Sequence, residues 1–560
     1  MWVTPLIPKV RPSGQILPPI LCVFSRLGVP VMNIKQELSR LAVAIGMAGV
    51  LAACGGGGDV KLSANSTTTI NDNSTTTTAA SNNNPCANYL DAATNTRKQG
   101  SFDGANCVYS SDFVGETNPL TVNLTIPFIS GVHIFEDSLF VGKNIDGTNA
   151  AETVLQNGAG PTLTIRAGNR LAWTRADDYL LVNRGSRIVA EGTATTPITL
   201  TGFKDAVSRN AGRLETQLWG GLVINGNGIT NKCSDAQRTA NTCHVLSEGK
   251  PSNYGGNNNA ESSGTLQYVL IKHPGFEVAP GDELNGMTLN AVGSGTTIQN
   301  VEVYSTYDDG VEFFGGAVKV SNLVALYVAD DAIDWSDGWV GTVDRALVIQ
   351  AENNGDRCIE ADNQGTVFDV LPLSNGTVKR LTCITSGAKL PIAIHGDSMG
   401  AELRRGTRFK IEDSIFYDAY AISRLSQVPG RCLRVTDTQT AQAAQAGNSS
   451  VKSNLLACRT PTSNGTNWTT VFSNGDSVAS WTRNNGVGAY PNNTNNVFIS
   501  DSTNANVRVL DSFFTATQFV DAAGVNFSVT PVTAGPIGAV TRASNWTASW
   551  TFGLDNTLWF

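Results

Sequence analysis

Charged side chains are scarce in this sequence. Asp, Glu, Lys and Arg make up 15% of its 560 residues, and the balance is acidic, 47 Asp and Glu against 39 Lys and Arg. A net charge of −8 implies no basic face, so a nucleic-acid partner is not expected. Histidine is rarer still. His133, His244, His273 and His395 are scattered, and no Cys-x-x-Cys occurs, which argues against a zinc-type site. No long segment before residue 430 carries helical periodicity. The apolar run Leu41–Leu51 is too short to cross ~30 Å of hydrocarbon, which takes roughly 20 residues. Glycine, by contrast, is abundant at 56 residues, and Asn, Thr, Ser and Val are frequent. That is the composition of an exported β-protein rather than a helical cytoplasmic enzyme.

The first segments read as an export signal. Lys35 and Arg40 precede the apolar run, which ends in Leu51-Ala52-Ala53-Cys54-Gly55. Basic, apolar and then small residues, in that order, form a secretory signal. Its end resembles the lipobox of bacterial lipoproteins. The resemblance implies cleavage before Cys54, lipidation of Cys54, and a membrane partner held through that lipid. Gly55 stands where an aspartate would favour inner-membrane retention, so the expected place is the outer membrane, on its periplasmic face or the cell surface. Met32 alone begins a well-proportioned signal over 32–53, and the proline-rich residues 1–31 read as an over-extended start. Residues 54–85 are Gly, Ser, Thr and Asn almost throughout after the cysteine, the composition of a disordered linker.

Cys22 and Cys54 aside, eight cysteines remain: Cys86, Cys107, Cys233, Cys243, Cys358, Cys383, Cys432 and Cys458. An even number in an exported chain reads as disulfides. The sequence leaves their connectivity open, with pairing of neighbours the simplest choice.

From about Val132 the chain alternates short β-rich runs with Gly, Asn and Asp turns. One pattern recurs, with starts at Leu266, Ile298, Val320, Val343, Val378 and Ile411 and steps of 32, 22, 23, 35 and 33 residues. A minimum near 22, lengthened by inserted loops, is the spacing of one solenoid coil. Its form, apolar-x-Asn-apolar-x-apolar at Asn300 and Asn322, is similar to the bend between strands of a right-handed parallel β-helix, where an inward asparagine satisfies buried backbone groups. Arg345, Arg380 and Asp413 depart from it. The fold class expected is therefore all-β: a right-handed parallel β-helix, with an N-terminal β region and cap over 86–215, a coil core over 216–420, and a C-terminal insertion and cap over 421–560. A β-sandwich or propeller is the competing architecture.

A second run follows several repeat starts. Aligning Leu289, Val311, Ile333, Ile359 and Ile394 as core residues puts Asn290, Glu312, Asp334, Glu360 and His395 in one outward column. Asp308, Asp309, Asp330, Asp331, Asp337, Asp356 and Asp362 crowd it, and few basic residues lie close by in sequence. Three readings follow. The column is a solvated acidic face made of turn residues. Or it is a calcium site, with Glu312, Asp334, Asp331 and Asp309 as oxygen ligands. Or Glu312, Asp334, Glu360 and His395 carry acid/base chemistry on a saccharide, with Trp335, Trp339 and Tyr307 as exposed rings gripping the sugar.

Three motifs, Val311-Glu312-Phe313-Phe314-Gly315-Gly316, Asp330-Asp331-x-x-Asp334-Trp335 and Leu218-Trp219-Gly220-Gly221-Leu222, resemble a group of bacterial surface lipoproteins that is similar at fold level to the pectate-lyase-like β-helix superfamily. The likeness covers roughly residues 130–420 and the Trp-rich end at Trp546 and Trp550. It implies fold and location and little about activity, since this fold carries lyases, hydrolases, adhesins and stalks. No lyase or polygalacturonase motif is matched. After residue 430, Thr438–Gln445 reads as a short helix, and residues 505–560 as the cap over the last coil. The expected function is binding of an extended ligand such as a polysaccharide, with calcium as the cofactor. A polysaccharide lyase or glycoside hydrolase is the alternative, and a structural surface protein the third class.

Overall fold

Short aliphatic runs between Gly, Asn and Asp turns become strands that each pair in parallel with the run one coil earlier and one coil later. The computed structural model describes residues 84–156, 158–351, 354–385, 398–418, 430–499, 518–520, 526–532, 535–541 and 543–554. Cys54, the signal, the linker up to residue 83 and His395 lie outside the described residues.

One sheet has ten strands in chain order, all parallel: Leu139–Val141, Leu180–Val182, Leu222–Asn225, Met287–Asn290, Val311–Phe314, Ile333–Ser336, Arg357–Ala361, Met399–Leu403, Arg431–Val435 and Thr460–Asn464. The stack thus reaches beyond the expected 216–420 core in both directions. Much of the region expected to be terminal caps consists of coils.

A second, bent sheet closes each coil. Its strands include Gly264–Lys272, Thr297–Tyr304, Lys319–Leu326, Thr342–Ile349 and Asn375–Thr385. The repeat starts stack residue on residue: Leu266 on Ile298, Ile298 on Val320, Val320 on Val343, Val343 on Val378, and Val378 on Ile411. The third repeat position makes the bend. Tyr268, Asn300, Asn322, Arg345, Arg380 and Asp413 all have φ between 50° and 62°. The left-handed conformation is cheapest for Gly and tolerable for Asn and Asp, and it costs other residues roughly 1–2 kcal/mol. What the pattern conserves from coil to coil is that backbone conformation, and Arg345 and Arg380 adopt it too.

The asparagine role shifts accordingly. Asn322 donates from Nδ2 to Asn300 Oδ1 at 3.4 Å. Backbone groups are instead satisfied further along the stack. Asn454 donates to the Ile411 carbonyl at 3.0 Å and accepts from the Ser414 amide, and Asn496 donates to the Val451 carbonyl at 2.8 Å.

The interior between the sheets is one continuous apolar cluster. Phe135, Trp173 and Trp219 stack at centroid distances of 5.5 and 4.4 Å. Neighbouring cysteines pair as Cys86–Cys107, Cys233–Cys243, Cys358–Cys383 and Cys432–Cys458. Cys358 and Cys383 sit on consecutive strands of the two sheets, so their bridge crosses the core. The first bridge pins the N-terminal segment, where Tyr89, Tyr109 and Phe113 pack together.

The expected helix is present at Thr438–Gln445, capped by Asp437 accepting from the Thr440 amide. The described residues of the C-terminal segment expected to cap the last coil, 529–532, 535–541 and 543–554, run along the outer face of the bent sheet. Gly538 donates to the Asp413 carbonyl, Ala539 to Thr382 Oγ1, and Phe552 to Glu302 Oε2. Trp550 meets Tyr268 edge-on at 5.7 Å. The bent sheet's outer face carries Leu270, Val324, Leu347 and Ile415, an apolar stripe that the segment covers. Trp546 and Trp550 belong to this packing. Among the described residues, no helix is long and apolar enough to cross a membrane.

Candidate functional site: an acidic trough on the ten-stranded sheet

Strand alternation sends every second side chain of the ten-stranded sheet away from the core. The outward column stacks Phe140, Leu181, Val223, Thr288, Glu312, Asp334, Glu360, Glu402 and Arg434. Its first members are apolar and are covered by Leu284 and Phe276 of a hairpin. From Glu312 onward it is charged.

This register corrects the expected column at both ends. Thr288, not Asn290, precedes Glu312. Glu402, not His395, follows Glu360. The signal for Glu402 is in the sequence: Ala401-Glu402-Leu403 repeats the in-out-in order of Ile359-Glu360-Ala361. A long insertion between the two strands obscured the spacing.

Trp335 and Trp339 are not surface rings. Both are 0% exposed. Trp335 lies two residues after the core residue Ile333 and therefore shares its inward face. Trp339 stacks on Phe313 at 4.3 Å, and Trp335 Nε1 donates to Thr407 Oγ1 at 3.1 Å. Tyr307 does reach the trough's rim, half-buried, with its hydroxyl donating to Glu277 Oε2 at 3.2 Å.

Nor is the column a freely solvated face. Glu312 is 9% exposed and Asp331 4%. Flanking insertions form the walls: the hairpin strands Val245–Leu246 and Asn253–Tyr254, and Phe276–Ala279 with Asp282–Leu284. Asn285 holds the floor, donating to Glu312 Oε2 at 2.7 Å and accepting from the Asp309 amide at 3.1 Å. Asp309 in turn accepts from the Asp331 amide at 3.0 Å.

The trough has two electrostatic halves. Beyond Asp334, arginines neutralise the acids. Arg357 bridges Glu360 at 2.8 Å, Glu402 at 2.7 Å, Asp331 at 3.4 Å and the adjacent Asp356. Arg404 meets Glu360, and Asp362 at 2.9 Å; Arg405 meets Asp362 at 2.7 Å, and Arg434 meets Glu402 at 3.2 Å. Arg404 and Arg405 follow Glu402 closely in sequence and Arg434 is the next column member, so all three belong to the part of the column beyond the expected one.

The other half has no such partner. Among the described residues no lysine or arginine pairs with Asp309, Glu312 or Asp334, whose ligand oxygens lie within 4.8 Å of one another. Two further triads, Asp308, Asp309, Asp330 and Asp330, Asp331, Asp356, meet the same limit. Asp331 Oδ1 and Asp334 Oδ1 are buried and accept no hydrogen bond.

Burial and mutual repulsion both disfavour the charged forms. Asp309 is held well above the usual carboxylate range by burial and by Asp308 and Glu312. Glu312 is raised by burial, Glu248 and Asp334. Asp334 is raised by burial and Asp362, against the pull of Arg404. Glu248 on the wall is pushed up to about 8 by burial and Asp282, and Asp362 to about 7 chiefly by burial. Asp337, despite Lys232 at 3.6 Å, is pushed up to about 6, again by burial.

Parallel strands stacked coil on coil, with a walled acidic trough on the ten-stranded sheet, define a parallel β-helix. The chain belongs to the pectate-lyase-like β-helix domain family, whose model matches residues 143–551. No curated protein and no solved structure matches it.

Proposed function

We propose that the trough binds an extended polysaccharide through calcium. The observation that carries this reading is the triad of Asp309, Glu312 and Asp334, oxygen donors crowded within 4.8 Å and ion-paired with no lysine or arginine among the described residues, Arg404 acting on Asp334 only at longer range. The donor set fits a hard cation: it is all oxygen, and two of the buried oxygens nearby accept nothing. Such a cation would be held by these three residues with Asp331 or Asp308 beside them. It would neutralise the trough and offer its remaining positions to ligand hydroxyls or carboxylates. From Glu312 to Arg434 the charged column spans four inter-strand spacings of ~4.8 Å, about 19 Å, room for a stretch of an extended chain. Tyr307 on the rim supplies a ring for a sugar face.

A glycan array probed with and without chelator tests this. Calcium-dependent retention of acidic glycans is the expected result, and an identical pattern under chelator would contradict it. A second reading, cleavage of the bound chain by a lyase or glycoside hydrolase, draws on one observation. Arg404, lowered to about 10 by burial and Arg405, stands near Asp334, whose charged form burial and Asp362 disfavour, so two groups suited to proton transfer are close together. Asp334→Asn would then lose turnover while keeping binding.

The location proposed is the outer membrane, with a lipid on Cys54 as the anchor. Its support is the signal-like order of residues ending in Leu51-Ala52-Ala53-Cys54.

A further inference from the structure

A cavity of about 570 Å³ opens at the turns that follow the ten-stranded sheet, lined by none of the trough carboxylates named above. One wall is the disulfide-closed insertion Cys233–Cys243; the other is the segment Leu371–Leu373. Asn231 Nδ2 ties the two together, donating to Asn363 Oδ1 at 3.0 Å and to the Pro372 carbonyl at 3.3 Å. The walls are therefore set before any ligand arrives.

The floor is polar. Gly376 turns inward against Trp335 and Trp339, so its neighbour Asn375 faces out. Arg408 is its partner on the adjacent strand. Two guanidiniums line the cavity, and they differ. Arg238 is fully engaged, donating to the Thr230 carbonyl at 2.9 Å and to the Cys233 carbonyl, and pairing with Asp235. Arg408 makes no side-chain hydrogen bond or ion pair among the described residues, and its buried Nε is unsatisfied. Asn375 Oδ1, beside it, is also buried and unsatisfied. A buried donor and a buried acceptor left unmet are costly unless something fills both. Apolar side chains surround the pair. Val340 is 42% and Leu371 71% exposed, and Ile229 and Pro372 line the cavity with them.

We propose that this cavity binds the C-terminal carboxylate of a peptide that ends in an apolar residue. The carboxylate meets Arg408, whose planar fork suits it. The amide N–H of the last residue meets Asn375 Oδ1. The aliphatic side chain covers Val340 and Leu371. The volume lies within the ~300–1,000 Å³ of small-ligand pockets. The proposal is independent of the trough and of any calcium there.

Calorimetric titration of the full-length protein tests it with three probes: N-acetyl-Ala-Leu, the same dipeptide as its C-terminal amide, and isovalerate. Isovalerate keeps the carboxylate and the apolar body but lacks the amide N–H. The acid dipeptide is expected to bind at least tenfold more tightly than either of the others. Arg408→Gln should erase the preference for acid over amide. Should that variant fail to fold, Leu371→Asp, on a highly exposed residue, must weaken the acid dipeptide at least tenfold. Equal binding of acid and amide overturns the proposal. So do equal binding of isovalerate, a preference that survives Arg408→Gln, unchanged affinity in Leu371→Asp, and absence of binding by the wild type.

Discussion

Replacing Asp334 by Asn separates a cation site from a merely crowded surface. Two carboxylates 4.8 Å apart repel by about 3.5 kcal/mol at an effective dielectric of ~20, and Asp334 faces Glu312 and Asp309 within that distance. Without a cation the native protein avoids the repulsion by retaining protons, at about 1.4 kcal/mol per unit of raised pKa. Asn mimics the protonated acid without that cost. In chelator at pH 8 the variant should be more stable than wild type by roughly 1–3 kcal/mol. Calcium inverts the order. At a hundred times its dissociation constant it should stabilise the wild type by about 2.7 kcal/mol and the variant far less. For a unit as large as Ala80–Phe560, unfolding entropy of ~2.1 cal/mol/K per residue makes 1 kcal/mol worth about 1 °C. Scanning calorimetry should therefore show a rise near 3 °C in the wild type and almost none in Asp334→Asn. No calcium-dependent shift in the wild type, or the full shift in the variant, refutes the reasoning.

Other outcomes follow from the same structure. Carboxylates raised on folding hold protons that the unfolded chain has lost, so stability is full below about pH 4 for these groups. It then falls as pH rises through the window set by Asp337 near 6, Asp362 near 7 and Glu248 near 8; denaturant titrations at pH 5 and pH 8.5 without calcium would show the loss. Glu302, buried beneath the C-terminal segment and pushed up to about 8 by burial, should tolerate Gln at pH 6 and gain stability from it at pH 9, as measured by melting temperature. Trp335→Ala should cost about 3–5 kcal/mol in urea unfolding, as for a core aromatic, whereas a surface ring would cost far less. Cys54→Ala should abolish incorporation of labelled palmitate, and retained label would contradict anchoring at that residue.

The coils were legible because their signal is local. The repeat starting at Leu266 returns at Ile298 and Val320 with little change, and the pairing follows it residue by residue. Neighbouring cysteines were legible for the same reason, the paired residues lying only 10 to 26 positions apart in sequence. Expectation and structure part where a loop intervenes or where a residue's chemistry and its strand parity point opposite ways. Trp335 sits in phase with Ile333, and that alternation already directs it inward; its aromatic chemistry suggested otherwise. Glu402 lies 42 residues after Glu360, beyond an insertion, so a coil spacing near 22 does not align the two. The burial of the trough comes from the 245–254 and 276–284 hairpins, whose docking depends on Leu284 meeting Phe140 and Tyr179. Those contacts join segments more than a hundred residues apart, and no periodicity announces them. The C-terminal segment misled for a related reason: its tryptophans signal burial but not the face they bury.

The central claim, a cation held by the unpaired end of the trough, is tested most directly by anomalous scattering from crystals grown in calcium. The account predicts a peak among Asp309, Glu312 and Asp334, with oxygen distances of about 2.3–2.6 Å. Crystals that show no peak there at saturating calcium and pH 8, with the three carboxylates still clustered, would contradict it.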